Sequence, residues 1–110
     1  MLATPIGAAL AADPIKLGVL EDQSGDFALA TIGKVHGIQI ATDEINAAGG
    51  IAGRKLELVI YDTQSDNTRY QEFMRRVIQR DKADVVFAGF SSASREAYRP
   101  IVDQLNGFAF

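Results

Sequence analysis

The chain has 110 residues, 47% of them hydrophobic and 23% charged, the balance of one globular unit with a real core rather than a disordered segment. A net charge of -3, with eleven Lys and Arg scattered apart from "MRRVIQRDK", argues against a nucleic-acid surface. The absence of cysteine removes disulfides, thiolate nucleophiles and sulfur-ligated metals. No apolar run approaches the roughly 18 residues that crossing a bilayer requires, so direct membrane insertion is not expected.

The opening "MLATPIGAALAADP" is uncharged until Asp13, rich in small apolar residues and carries Ala9-Leu10-Ala11. That A-x-A pattern suggests that residues 1–12 are the remnant of a secretory signal peptide rather than a plain N-terminal extension, a reading that would place the protein in the periplasm or outside the cell. Residues 13–110 then form the folded part. "IKLGVL" alternates Ile15, Leu17 and Val19 and predicts a strand, followed by the polar loop "EDQSGDFA". From about Leu29 to Ala48, Val35, Ile38, Ala41, Ile45 and Ala48 recur at helical spacing, and Gly49-Gly50 stops the helix. "KLELVIYD" predicts a second strand. "TQSDNT" supplies capping side chains for a helix whose Tyr70, Phe73, Met74, Val77 and Ile78 form the clearest amphipathic stripe in the chain.

The continuous apolar run "DVVFA" predicts a third strand, buried on both faces. "GFSSASREAY" opens a third helix running to about Gln104, in which Pro100 either makes a kink or begins a second short turn. "GFAF" reads as the start of a fourth strand. The order β-α-β-α-β-α-(β) implies an α/β fold, a parallel sheet with helices on both faces. A doubly wound sheet usually has more strands, so the chain is expected to be a fragment of a larger protein.

Open parallel sheets bind ligands at the carboxyl ends of their strands. Three loops fall there: "EDQSGDFA", "DTQSDN" and "GFSSAS". The third lies at a helix start, where free N-H groups and the positive end of the helix dipole favour a carboxylate or carbonyl oxygen, so Ser91 and Ser92 are candidate ligand contacts as well as ordinary caps. An enzyme is disfavoured. His36 is the single histidine, in mid-helix, and no GxSxG, GxGxxG or GxxxxGK[ST] motif is present, so no cofactor is implied. Glu21 and Asp22 suggest a phospho-accepting receiver domain, but the third strand ends in Gly89 and Phe90 rather than in a phospho-acceptor.

"IKLGVLEDQSGDFA", "EINAAGGIAGRKLELVIYDTQSD" and "DVVFAGFSSASREAYRPIVDQ" resemble the N-terminal lobe of type I periplasmic solute-binding proteins, the receptors of the branched-chain amino acid type of ABC transporter. The resemblance covers residues 15 to 110. Within the family, "SASREAYRPIVD" and "EDQSGDFA" look closest to the branch for urea and short-chain amides, which also includes cytoplasmic amide-sensing regulators. The resemblance implies a two-lobed, non-enzymatic receptor that closes on a small polar solute and presents it to a membrane permease. It carries ligand contact to Ser91 and Ser92, a pocket wall to Phe90, and positions near the cleft to Gly25 and Phe27. Ser94 is expected to serve the helix start, and Asp62 and Asp66 to organise the second loop. Replacing Ser91 and Ser92 by alanine is expected to weaken solute binding with little change in melting temperature.

Overall fold

The computed structural model describes residues 12–110. The signal-remnant reading of residues 1–12 therefore falls outside the described residues except for Ala12, which is exposed and without regular structure. The elements alternate as expected: β1 (Ile15–Glu21), α1 (Ala28–Ala47), β2 (Leu56–Asp62), α2 (Asn67–Gln79), β3 (Val85–Ala88) and α3 (Ser92–Gln104). All strand pairs are parallel, in the order β2-β1-β3, with Ile15 opposite Leu56 and Leu17 opposite Val85. The first crossover thus leads to one side of β1 and the second crosses back over it to the other.

Helices α2 and α3 pack on each other over one face, where Leu20, Tyr70, Phe73, Met74, Val77, Val86, Ala88, Tyr98 and Ile101 form the core. Helix α1 covers β1 and β2 on the opposite face. Its buried stripe is Thr31, Val35 and Thr42, whereas Ala41 and Ala48, expected on that face, are exposed. Threonine can enter the stripe because its hydroxyl finds a backbone acceptor: Thr31 Oγ1 donates to the carbonyls of Asp22 and Phe27. Among the described residues no helix is long and apolar enough to cross a membrane.

Two expectations change in detail. Strand β3 is not buried on both faces: Val86 and Ala88 are buried, but Val85 and Phe87, which alternate onto the other face, are half-buried. Phe87 instead stacks on Phe110, with ring centroids 5.7 Å apart. "GFAF" pairs with β3 through a single parallel bridge, Val86 to Ala109, supported by Val86 N-H to Phe108 O at 2.8 Å and Phe110 N-H to Val86 O at 2.8 Å. It has the register of a fourth strand without the length of one. Pro100 lies inside a single helix, exposed, and starts no separate turn.

The joints between elements follow local chemistry. Asp66 caps α2 by accepting from Thr68 N-H at 2.8 Å. Replacing it with alanine should cost about 1 kcal/mol, read as a lowered urea midpoint with unchanged slope. At the outer edge of β2, the Asn46 side chain bonds both backbone groups of Leu56, donating to its carbonyl at 2.9 Å and accepting from its N-H at 2.7 Å.

Candidate functional site

The strand order puts the reversal point between β1 and β3, and the crevice at the carboxyl ends of these strands is where an open parallel sheet binds ligands. The loops after β1 and β3 meet across it. Phe27 and Phe90 approach with ring centroids 5.5 Å apart in a tilted arrangement, yet remain 38% and 55% exposed. Two large apolar rings are thus held together in solvent, where a ligand can cover them.

Beside the rings, α3 begins. Ser91 is its N-cap, extended at φ -85° and ψ 152°, and its Oγ accepts from Ser94 N-H at 3.1 Å. Ser94 is buried and donates its hydroxyl to the Ser91 carbonyl at 2.7 Å. The Ser91 hydroxyl proton remains available to an acceptor. Ser92 is exposed, and the N-H groups of Ser92 and Ala93 have no protein partner among the described residues. This is a donor cluster at the positive end of a 13-residue helix, suited to a carboxylate.

The first and second loops are latched together by two carboxylates. Asp62 Oδ1 accepts from the N-H groups of Gln23 at 2.9 Å, Ser24 at 3.2 Å and Gln64 at 2.9 Å, and its Oδ2 accepts from Ser24 Oγ at 2.8 Å. Buried Asp22 accepts from Thr63 Oγ1 at 2.6 Å and from Ser65 N-H at 2.9 Å. Gln64 and Ser65 both sit at φ 56°, a left-handed conformation that side chains resist, and it is this twist that aims their N-H groups at the two carboxylates. Partial desolvation pushes the Asp62 carboxyl up, but the hydrogen bonds from Ser24, Gln64 and Gln23 outweigh it and hold it below the usual value.

Ser65 Oγ completes the latch, accepting from Phe27 N-H at 3.0 Å and donating to Ser24 O at 3.0 Å. Gly25, at φ 86°, lies so close that a Cβ there would sit 2.7 Å from both Gln64 O and Ser65 Oγ. The second loop therefore sets the position of Phe27.

Glu21, at the end of β1, is fully buried. The Lys34 ammonium, on the second turn of α1, stands 2.6 Å from its Oε1 as an ion pair without hydrogen-bond alignment. Oε2 has no hydrogen-bond partner among the described residues. Desolvation raises the Glu21 carboxyl above its usual value, and Lys34 only partly offsets this.

Residues 14–110 match the family model described as periplasmic binding protein. The chain belongs to the periplasmic binding protein family. Among curated relatives, it is 38% identical over 104 residues to "Leu/Ile/Val-binding protein homolog 7" of Brucella melitensis biotype 1, an alignment covering 94% of this chain and 26% of that protein. It is 39% identical over 90 residues to "Leu/Ile/Val-binding protein homolog 8" of Brucella suis biovar 1, covering 82% of this chain and 22% of that protein. The chain thus spans about a quarter of the length of these relatives. Among solved structures, it is similar to a branched-chain amino acid transporter substrate binding protein of Streptococcus pneumoniae in complex with isoleucine. That match has a TM-score of 0.84 and 28% identity, over 87% of this chain and 28% of that one. A "putative branched-chain amino acid ABC transporter" from Silicibacter pomeroyi gives a TM-score of 0.77 at 35% identity, over 88% of this chain and 25% of that one.

As a periplasmic binding protein, the chain has the expected type I α/β architecture, and the receiver-domain alternative lapses. The structure brings Phe27, Phe90, Ser91 and Ser92 to one crevice and puts Gly25 on its rim against the second loop. Asp66 serves the α2 start, as expected, while Asp62 reaches further, into the first loop. The expectation that the paired serine substitution spares stability requires correction: Ser91 is the cap of α3, and its loss has a stability cost. Sequence reasoning missed the Glu21–Lys34 pair. The signal available was a lysine one helical turn upstream of Ile38 on a helix that must cross the end of β1. His36, exposed on α1, lines an open groove with Asp43 and β2 residue Leu58, away from the crevice.

Proposed function

We propose that this chain forms the first-lobe wall of the periplasmic substrate-binding component of an ABC transporter, which captures an amino acid with an aliphatic side chain and delivers it to a permease. The observation that carries the proposal is the Phe27–Phe90 pair beside the free N-H groups of the α3 start, at the reversal point of the sheet. A solute's α-carboxylate would accept from Ser92 and Ala93 N-H and from the Ser91 and Ser92 hydroxyls, while its side chain covers the rings. Gly25 holds the rim of the first loop close. The second lobe would supply the counter-charge for the ammonium group. The names of the curated relatives support an amino acid rather than urea or a short-chain amide, and neither of the latter has an aliphatic chain to cover both rings.

The test is titration calorimetry of the two-lobed protein with L-isoleucine, L-leucine, L-valine, acetamide and urea. Ser92→Ala, which caps nothing, should weaken amino-acid binding about tenfold while leaving the melting temperature of the free protein unchanged. Ser91→Ala plus Ser92→Ala should weaken binding further and also cost about 1 kcal/mol of stability through the lost cap. Binding of acetamide or urea alone would reassign the solute. Amino-acid affinity unaltered in the double variant would remove the α3 start from the site.

A further inference from the structure

The Lys34 ammonium has two partners: Oε1 of Glu21 at 2.6 Å and the carbonyl of Gly89, to which it donates at 3.2 Å. Gly89, at φ 82°, immediately precedes Phe90, and its own N-H donates to Leu20 O at 3.1 Å. One side chain therefore joins three elements, α1, the end of β1 and the loop that carries Phe90, Ser91 and Ser92. We propose that Lys34, fixed by the buried Glu21 carboxylate, is the positioning residue of the Phe90–Ser92 binding loop, a role that rests on the solute-binding reading above.

The energetics separate this role from simple structural support. A carboxylate taken fully out of water, with Oε2 unpartnered, is costly, and a side chain 42% exposed repays only part of that. Burial raises the Glu21 carboxyl, so the folded protein holds the proton more tightly than the unfolded chain. Its contribution to stability is thus fully present below the unfolded value and is lost as pH rises through the folded one. The ionised form therefore weakens the fold. What it provides is the anchor for Lys34, and through Lys34 the position of Gly89.

Protonating Glu21 releases that anchor, so loop order should fall with pH at a value above that of an ordinary glutamate. Besides Lys34 on α1, the groups around Glu21 are adjacent Asp22, its β2 register partner Asp62, Tyr70 on α2, and Tyr98 with Arg95 on α3. Burial raises both tyrosines, which stay neutral across the acid range, and Asp62 titrates below the usual carboxylate value.

The test uses the ligand-free two-lobed protein, with amide hydrogen exchange at Phe90, Ser91 and Ser92 measured against pH, beside calorimetry with L-isoleucine. Glu21→Gln should speed exchange in this loop about tenfold, since a competent fraction cut to a tenth lowers apparent affinity by the same factor. It should leave the melting temperature unchanged or raised, and it should abolish the acid-dependent change in exchange seen in the wild type. Lys34→Met strands a buried charge and is expected to unfold readily, so the double variant Glu21→Gln plus Lys34→Met is the informative partner. Its loop exchange should equal that of Glu21→Gln alone, and Lys34→Arg, which keeps a cation opposite Glu21, should exchange as slowly as the wild type. Exchange at residues 90–92 unchanged in Glu21→Gln, or a pH profile unchanged by it, would overturn the proposal. Failure of L-isoleucine to bind the wild type would overturn the solute reading instead and leave the exchange result to decide the role of Lys34.

Discussion

Replacing Gly50 by alanine should lower the unfolding free energy by roughly 3 kcal/mol or more, against about 1 kcal/mol for the same change at Gly49. The neighbours differ in surroundings, not in conformational type. Both lie at positive φ, Gly49 at 107° and Gly50 at 85°, so each alanine incurs the left-handed penalty. A Cβ on Gly49 would enter open space, whereas one on Gly50 would sit 2.1 Å from Arg54 O. That oxygen accepts from Ile51 N-H at 2.8 Å, and Arg54 N-H returns a bond to Ile51 O at 2.9 Å, closing the turn that feeds β2. The turn also reaches the segment just before β1, because the Arg54 side chain donates to Asp13 O at 2.8 Å. Room for the Cβ can come only from moving backbone that is bonded on both sides. Urea midpoints of the two single variants measure the difference, and equal losses would show that conformation alone explains the double glycine.

Asp62→Ala should cost roughly 2–3 kcal/mol, because three N-H groups and a hydroxyl lose a charged acceptor together. It should also loosen the Phe27 side of the crevice. The reason is the twist at Gln64 and Ser65, which is held partly by Gln64 N-H on Asp62. Without the carboxylate the twist relaxes, Ser65 Oγ leaves Phe27 N-H, and the first loop is freed. The pH dependence has the opposite sign to that of Glu21. The folded Asp62 carboxyl is held below its unfolded value, so its stabilisation is present above the unfolded value and is lost as pH falls through the folded one. Asp62→Asn should flatten that acid limb and preserve part of the loop order, since one side-chain oxygen still accepts. Faster amide exchange at Ser24 and Phe27 in Asp62→Ala would register the loosening. Unchanged exchange there would confine Asp62 to its own loop.

The parts of the molecule that were readable in advance are those whose causes are local. Helix α2 announces itself because Tyr70, Phe73, Met74 and Val77 are all large, apolar and buried. Helix α1 is harder, since two of its buried residues are threonines, and the burial of Thr31 depends on the carbonyl acceptors of Asp22 and Phe27 just before the helix. For the same reason alanines at helical spacing were a poor guide: Ala41 and Ala48 have too little side chain to gain much from burial, and both face solvent. The serines of "GFSSAS" were visible because a strand end followed by a helix start is a local event. Their division of labour was not. Which hydroxyl caps depends on where the helix begins, and here it begins one residue after Ser91. The Phe27–Phe90 pair, the Asp62 latch and the Lys34 anchor all join distant segments, and each requires the strand order β2-β1-β3, which periodicity does not encode.

Asn46 closes the start of the sheet's β2 flank. By occupying both backbone groups of Leu56, its amide takes the place of a neighbouring peptide unit at the start of the outer edge of β2. A foreign strand seeking to add there would have to displace a partner already matched to the edge before its first bond could form. At the opposite edge, β3 already accepts chain, as residues 108–110 show. Strand addition at the start of β2 is thus opposed by a side chain already in place, while along β3 the outward groups of Val86 and the N-H of Ala88 are taken by residues 108–110.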